Sequence, residues 1–192
     1  MKVVAFNGSP RKNGNTMGAI KIVLKQLEEA GIETEIIQLG GNRVSGCLDC
    51  GYCKTHKDMK CAVKDDIIND CIARMAEADG IIIGSPVYFG NVTTEVKALI
   101  DRSGRITRNN GFALRRKVGA AVVAVRRAGS NFTYAAINFL FGISEMIVAH
   151  SSYWNMTLSR DPGDIEKDNE GIATFQTLGK NMAWLLQKTK EE

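Results

Sequence analysis

The sequence predicts an α/β protein in which a doubly wound parallel sheet is covered by helices on both faces. Two observations carry this prediction. Short apolar runs rich in β-branched residues alternate with amphipathic segments, and polar, glycine-containing turns follow several of these runs. This alternation is typical of βαβ units. A chain of 192 residues can form one domain with a full core, so we expect a single domain over 1–192.

Five strands and five helices are predicted in alternation. The strands cover 3–6, 33–39, 78–85, 118–125 and 146–151, and the helices cover 17–30, 65–78, 93–102, 131–144 and 171–188. This number of elements fits the flavodoxin-like strand order 2-1-3-4-5, in which ligands bind at the carboxyl ends of the strands. A cysteine-rich loop, 46–64, is inserted between the second strand and the second helix.

Composition indicates a soluble, cytoplasmic protein with no membrane partner. Hydrophobic residues make up 44% of the chain, but no run is as long as a membrane span, and the chain starts in a strand rather than a signal peptide. The net charge is +4. Positive charge is concentrated in 97–127, where Arg102, Arg105 and Arg108 would form a basic ridge if the helix continued. Aromatic residues that could stack on bases are not interleaved there, which disfavours nucleic acid.

The turn after the first strand has the properties of a phosphate site. A helix start offers unpaired N–H groups and a partial positive charge, and Arg11 adds a cation, with no acid before Glu28. The turn fits neither the P-loop nor the dinucleotide fingerprint, and it suits a terminal monophosphate better. The alternative is an ordinary turn in which Asn15 caps the helix. The candidate phosphate ligands are Ser9, Arg11, Asn15 and Thr16.

Two further turns follow the third and fourth strands. Residues 84–91 hold the adjacent aromatics Tyr88 and Phe89 between a proline and glycines, which suits a flat aromatic ligand. The alternative is that these aromatics fold back on the core. Residues 126–130 form a polar turn with a glycine. Because parallel strands end at the same edge of a sheet, the three turns predict one site.

These motifs resemble the NADPH-dependent FMN reductase family, which has the flavodoxin-like fold. The matching patterns are G-S-P-R-x-x-x-N-T, G-S-P-x-Y-x-G and R-x-G-S, and the resemblance covers roughly 1–155. It implies that the first turn holds the FMN phosphate. It also implies that the isoalloxazine ring is lined by Pro86, Val87, Tyr88, Phe89, Gly90 and Asn91, and that its polar edge is closed by Arg127, Gly129 and Ser130. Family members commonly have Gly-Gly where this chain has Ala128-Gly129.

Four of the five cysteines have the spacing C-x2-C-x2-C-x7-C. Thiolates at such intervals can hold a [4Fe–4S] cluster. A zinc site, which usually uses two separated C-x2-C pairs, and free or redox-active thiols are the alternatives. A thioredoxin-like site needs a helix start, for which Gly51 and Tyr52 give little reason. The candidate ligands are Cys47, Cys50, Cys53 and Cys61, whereas Cys71 lies on an apolar helical stripe and is expected in the core.

The spacing resembles the iron–sulfur flavoproteins, a branch of the same family. The resemblance implies an FMN-dependent oxidoreductase that passes electrons between FMN and a [4Fe–4S] cluster, with no side chain acting as acid, base or nucleophile. It also implies NAD(P)H, another small molecule or a ferredoxin-type protein as electron donor or acceptor, and a homodimer or homotetramer. One alternative is a cluster-free NAD(P)H-dependent reductase of flavin, quinones or nitro compounds. The other is a non-enzymatic flavin carrier or a zinc-stabilised binding module, although carriers are usually acidic and this chain is not.

Overall fold

One parallel sheet with helices on both faces makes up the structure, a computed structural model that describes residues 1–190. The strands are β1 (Lys2–Asn7), β2 (Glu33–Gln38), β3 (Gly80–Pro86), β4 (Val118–Val125), β5 (Ile147–Val148) and β6 (Met156–Leu158). The helices are α1 (Asn15–Glu29), α2 (Tyr52–His56), α3 (Ile68–Glu77), α4 (Thr94–Asn109), α5 (Ser130–Ile143) and α6 (Asn169–Lys190), with a 3₁₀ turn at Asp164–Lys167. The single-domain prediction extends to residues 191 and 192, which lie outside the described residues.

The strand order is β2-β1-β3-β4-β5, and all pairs are parallel. This confirms the predicted flavodoxin-like fold. β1 and β3 lie in the middle of the sheet beside β4, which is buried along its whole length. Their turns therefore open at one shared edge, where the carboxyl ends of the strands meet.

The fifth position of the sheet differs from the prediction of one strand at 146–151. β5 pairs with the beginning of β4, and β6 pairs with its end through Val123–Val125. Between them the chain leaves the sheet after Ala149 and returns at Asn155. The hydroxyl oxygen of Ser151 lies 2.6 Å from the carbonyl oxygen of Tyr153 and 2.7 Å from the side-chain oxygen of Asn155, and its one proton is shared between them, which closes this excursion. The sheet therefore has six strands in five positions.

The two faces of the sheet bury separate apolar cores. Alternate residues of β1 point to opposite faces, as strand geometry requires. Val3 and Ala5 pack with α1 and α6, whereas Val4 and Phe6 pack with α3, α4 and α5. Burial of both faces is the main stabilising contribution and fixes the positions of the strand ends.

Helix α4 is longer than predicted and continues to Asn109. The prediction that Arg102 belongs to an exposed basic ridge is nevertheless wrong, because its side chain is fully buried and forms an ion pair with Asp66. Arg105 and Arg108 remain exposed. Of the helices formed by residues 1–190, none has the length and apolar character needed to cross a membrane.

Candidate functional site

A cleft of about 200 Å³ opens at the carboxyl edge of the sheet. The first two predicted turns contribute to it together, and so do the ends of β4 and β6. Its lining residues are Ser9, Arg11, Gly14, Asn15, Thr16, Pro86, Val87, Tyr88, Ala124, Arg126, Ser159 and Arg160. All four residues predicted in the first turn therefore meet three of those predicted in the second.

The first turn is held rigidly against its neighbours. The backbone N–H of Gly8 donates to the carbonyl of Gly84 at 2.8 Å, and the hydroxyl of Thr93 donates to the carbonyl of Gly8 at 2.9 Å. A methyl group placed on Gly8 would lie 2.2 Å from Cγ2 of Val96, so only glycine fits at this position. The turn is thus fixed to the end of β3 and the start of α4.

Helix α1 begins at the cleft without a side-chain cap. Its N-cap is Gly14, and within residues 1–190 no side chain accepts a hydrogen bond as its cap. The alternative in which Asn15 caps the helix is therefore wrong. The first turn of α1 also contains no acidic residue. Its free N–H groups and the partial positive charge of the helix lie at the cleft beside Arg11, an arrangement that favours an anion.

The side chain of Asn15 binds the backbone of the segment 161–165 and is therefore not free to bind a phosphate. Its amide nitrogen donates to the carbonyl of Asp161 at 2.8 Å, and its oxygen accepts from the backbone N–H groups of Gly163 and Ile165, at 3.0 and 3.3 Å. Asn15 therefore fastens the segment 161–165 to the start of α1. Its backbone N–H remains part of the uncapped helix end.

The second turn is a tight hairpin. The backbones of Tyr88 and Asn91 exchange two hydrogen bonds, at 2.9 and 3.0 Å, across the pair Phe89-Gly90. Both residues of that pair have positive φ, 49° and 77°, as a type I′ turn requires. Phe89 is fully exposed and Tyr88 is half exposed, so the aromatics do not fold back on the core. The structure places Phe89, Gly90 and Asn91 outside the cleft lining.

The third turn supports the second and reaches the cleft lining only through Arg126. A methyl group on Gly129 would lie 3.1 Å from both Cα of Gly90 and Cγ1 of Val87. Gly129 also has a φ of 89°, which disfavours any side chain there. Arg126, which sequence reasoning did not select, lines the cleft in place of the predicted Arg127, Gly129 and Ser130.

Sequence reasoning also missed Ser159 and Arg160. They follow β6, and the N–H of Ser159 donates to the carbonyl of Val125 at 2.8 Å, which places both residues at the cleft. The hydroxyl of Ser159 is buried and has no hydrogen-bond partner within residues 1–190. A signal existed in the apolar alternation of 156–158 followed by Pro162 and Gly163, since glycine or proline also marks the turns after the other strands.

The four cysteines of the insertion line one small cavity of about 20 Å³. Cys47 and Cys50 are exposed, Cys61 is partly buried and Cys53 is buried. The prediction that no helix starts among them is wrong. The short helix α2 begins after Gly51, whose φ of 74° turns the chain, and the ring of Tyr52 stacks on His56 at 3.9 Å.

The cysteine cavity has the donor atoms that an iron–sulfur cluster requires. Among residues 1–190, no three His, Cys, Asp or Glu side chains are already arranged to hold a metal ion. The four thiols nevertheless share one cavity, and thiolates favour zinc or iron–sulfur clusters over hard cations. The amide of Asn109 lies 3.7 Å from the sulfur of Cys53. Arg102 also lines this cavity, and its buried Nε has no acceptor within the described chain. The four thiols, with the N–H groups of Asn109 and Arg102 near them, fit the chemistry of an iron–sulfur cluster.

The fifth cysteine belongs to the core, as predicted. Cys71 is 1% exposed and packs in the apolar cluster under α3. Burial raises the pKa of its thiol to about 12, and Asp70 adds to this effect. Cys71 therefore stays protonated and takes no part in the cavity.

Comparisons with known proteins show the family to which the chain belongs. Residues 1–161 match the family described as NADPH-dependent FMN reductase. An iron-sulfur flavoprotein of Methanocaldococcus jannaschii is 39% identical over 198 residues, which cover all of both chains. RosB, solved with 8-demethyl-8-formylriboflavin-5'-phosphate, superposes with a TM-score of 0.76 at 20% identity, covering 100% of this chain and 81% of RosB.

A flavodoxin from the domain Archaea superposes with a TM-score of 0.63 at 16% identity, covering 97% of this chain and 99% of the flavodoxin. At these identities the two solved structures show the fold alone. The match over 1–161 and the full-length relative show the family. The chain is thus a flavin-dependent oxidoreductase that belongs to the NADPH-dependent FMN reductase family, in its iron–sulfur flavoprotein branch.

Proposed function

We propose that this oxidoreductase binds FMN in the cleft and passes electrons between FMN and a [4Fe–4S] cluster held by Cys47, Cys50, Cys53 and Cys61. The observation that carries the proposal is that all four cysteines line one cavity. A plain flavin reductase has no need of four thiols gathered in this way. The identity of the relative from M. jannaschii as an iron-sulfur flavoprotein supports the same assignment.

In this proposal the uncapped end of α1 binds the FMN phosphate. Ser9, Arg11 and Thr16 lie around that end, and Asn15 contributes its backbone while its side chain holds the wall at 161–165. Pro86, Val87 and Tyr88 provide the apolar side of the cleft for the isoalloxazine ring. The predicted contacts of Phe89, Gly90, Asn91, Arg127, Gly129 and Ser130 with the ring stay predictions.

The lining of the cleft favours binding and orientation over proton transfer. Its charged side chains are Arg11, Arg126 and Arg160, and arginine does not release its proton in proteins. We therefore assign no catalytic acid, base or nucleophile. When bound, FMN exchanges two electrons with a donor such as NAD(P)H, and a [4Fe–4S] cluster carries one electron at a time. The protein's part is to position both groups and to set the polarity around them.

A ferredoxin-type acidic protein is the proposed protein partner for electron exchange. The insertion around the cysteine cavity carries four exposed lysines, Lys54, Lys57, Lys60 and Lys64. Complementary charge steers such encounters and raises the association rate. Three further points stay predictions: the use of small electron acceptors, the absence of nucleic acid and membrane partners, and a cytoplasmic location.

A second copy of the chain is the proposed partner for α5. This helix exposes Phe132, Phe139 and Ile143. Phe139 and Ile143 border an apolar groove of about 380 Å³ between α4 and α5. Exposed apolar surface of this kind marks interaction sites, which supports the expected homodimer or homotetramer.

The proposal is tested on protein purified without oxygen, by its absorption spectrum and by assays of iron, sulfide, zinc and flavin. We expect flavin bands and about four irons and four sulfides per chain. Cys53→Ser should lose iron and keep flavin, whereas the matched control Cys71→Ala should keep both. Zinc in place of iron, or flavin with no iron after reconstitution, would overturn the cluster. In the second case, fast oxidation of NADPH would establish the cluster-free reductase.

A further inference from the structure

Arg102 is a buried cation at the neck of the cysteine insertion. It lies on α4, is 1% exposed, and forms an ion pair with Asp66, which is also buried. Taking two such charges out of water is costly, and replacing a buried pair by apolar residues is often neutral or stabilising. The pair lies between the core and the cysteines. Its charges are therefore expected to have a specific role at this position.

One guanidinium holds both ends of the insertion. Its Nη1 donates to the carbonyl of Ser45 at 3.1 Å, just before the first cysteine, and its Nη2 donates to the carbonyl of Val63 at 3.1 Å, just after the fourth. Asn69 strengthens the second end, because its side chain accepts from the N–H of Cys61 at 2.7 Å and donates to the carbonyls of Cys61 and Val63. The insertion is thus closed at its neck by contacts from α3 and α4.

A further donor of this guanidinium, Nε, belongs to a side chain that lines the cysteine cavity. Nε of Arg102 is buried, and within residues 1–190 no acceptor satisfies it. An unsatisfied buried donor on a charged group is expensive, so native proteins rarely retain one without a partner. Arg102 lines the same cavity as Cys47, Cys50, Cys53 and Cys61. The sulfur atoms of the four cysteines are acceptors that this cavity offers.

We propose that Arg102 is a positioning residue that closes the neck of the insertion and donates its Nε–H to sulfur of the group held by the four cysteines. This inference rests on the proposed function. A buried cation and a donated hydrogen bond stabilise the more negative, reduced form of an iron–sulfur cluster, and so raise its reduction potential. The closed neck also keeps the four cysteines around one cavity before a cluster is bound.

The test compares Arg102→Gln and Arg102→Lys with Arg105→Gln. Arg105 lines the rim of the same cavity, but its side chain is 42% exposed and pairs with Asp49. Its charge is therefore screened by water, which makes it a matched control. The first measurement is limited digestion of the iron-free protein with trypsin at Lys54, Lys57, Lys60 and Lys64. The second is a redox titration of the reconstituted cluster.

We expect Arg102→Gln to speed cleavage of the insertion about tenfold, since hydrogen bonds from a charged group are lost. We expect the cluster potential of this variant to become more negative. Arg102→Lys keeps the charge without the fork of donors, so cleavage should still accelerate while the potential shifts less. Arg105→Gln should change neither quantity. Retained flavin shows in each case that the domain is folded.

Arg102→Gln leaves Asp66 buried without its cation and can unfold for that reason alone. The double variant Arg102→Gln/Asp66→Asn removes this problem and should give the same two effects. Unchanged cleavage and an unchanged potential in the double variant overturn the inference. A wild-type protein that takes up no iron overturns the proposed function instead, so the two failures are distinguishable.

Discussion

The side chain of Asn15 accepts a hydrogen bond from the backbone N–H of Ile165 at 3.3 Å, across 150 positions of the chain. With its bonds to Asp161 and Gly163, it joins the start of α1 to the segment that carries Arg160. The cleft therefore has a wall that depends on one asparagine.

Asn15→Ala should lower the free energy of unfolding by about 1–3 kcal/mol, because buried backbone groups lose their partners. The variant should also bind FMN more weakly, since the wall at 161–165 loosens. Urea denaturation measures the first effect and flavin fluorescence quenching the second. Asn13→Ala, an exposed neighbour in the same turn, is the control. Equal losses in the two variants would contradict the role given to Asn15.

Arg160→Gln should weaken FMN binding several-fold without changing riboflavin binding. The arginine lines the cleft and is exposed, so its contribution to phosphate binding is partly screened by water. Titration calorimetry with both ligands, at low and high salt, measures the difference. Arg108→Gln, an exposed arginine on α4, should leave both affinities unchanged. An equal loss for FMN and riboflavin would place Arg160 away from the phosphate.

Gly8→Ala should destabilise the protein by about 1–3 kcal/mol, since overpacking forces its neighbours to move. The new methyl group would meet Cγ2 of Val96 at 2.2 Å and the carbonyl of Gly84 at 2.7 Å. Thermal unfolding measures the change. Gly142→Ala, on α5 with open space around it, should be neutral or stabilising by up to about 1 kcal/mol. The close approach at Gly8 would be wrong if both variants melted alike.

Asp168 should make stability sensitive to acid. Burial raises the pKa of its carboxyl, but hydrogen bonds from the N–H of Gly171, the hydroxyl of Thr157 and the N–H of Leu158 outweigh burial and bring the pKa below its ordinary value. A lowered pKa in the folded state contributes stability above the unfolded value of about 4, and this is lost as the pH falls through the folded value.

Urea midpoints at pH 7, 5, 4 and 3 test this linkage. We expect Asp168→Asn to be less stable than wild type at pH 7 and to lose less of its stability between pH 5 and pH 3. Parallel curves for the two proteins would show that Asp168 does not contribute.

Cys71 should resist alkylation in the folded, metal-free protein. Its thiol is buried and has a pKa of about 12, so the reactive thiolate is scarce at pH 8. Iodoacetamide followed by mass spectrometry should show modification of the exposed Cys47 and Cys50 first, and of Cys71 only after denaturant is added. Modification of Cys71 at the same rate as Cys47 would argue against its place in the core.

The fold and the first two turns could be predicted because their signals are local. Apolar runs such as Ile81–Ile83 identify buried strands, and Gly, Pro and Ser mark the turns that follow them. Parallel order then places those turns at one edge, where Thr16 and Tyr88 do meet in the cleft.

The missed features depend on contacts between distant segments. β6 has only three residues and becomes a strand through pairing with Val123–Val125. Arg102 fits a surface pattern in sequence, yet its acceptors Ser45 and Val63 lie 57 and 39 positions away. The apolar positions Val96, Leu99 and Ile106 have a spacing that includes Arg102, but they do not show which groups accept from its guanidinium.

The neck closed by Arg102 has a consequence for how this fold can be altered. The neck of the insertion is formed by Ser45, Val63 and Asp66, and one side chain on a core helix holds all three. Residues 46–62 therefore form a cassette. We expect that a loop of different length or ligand content, grafted between Ser45 and Val63, keeps this neck if it also replaces the core contacts of Cys53 and Met59.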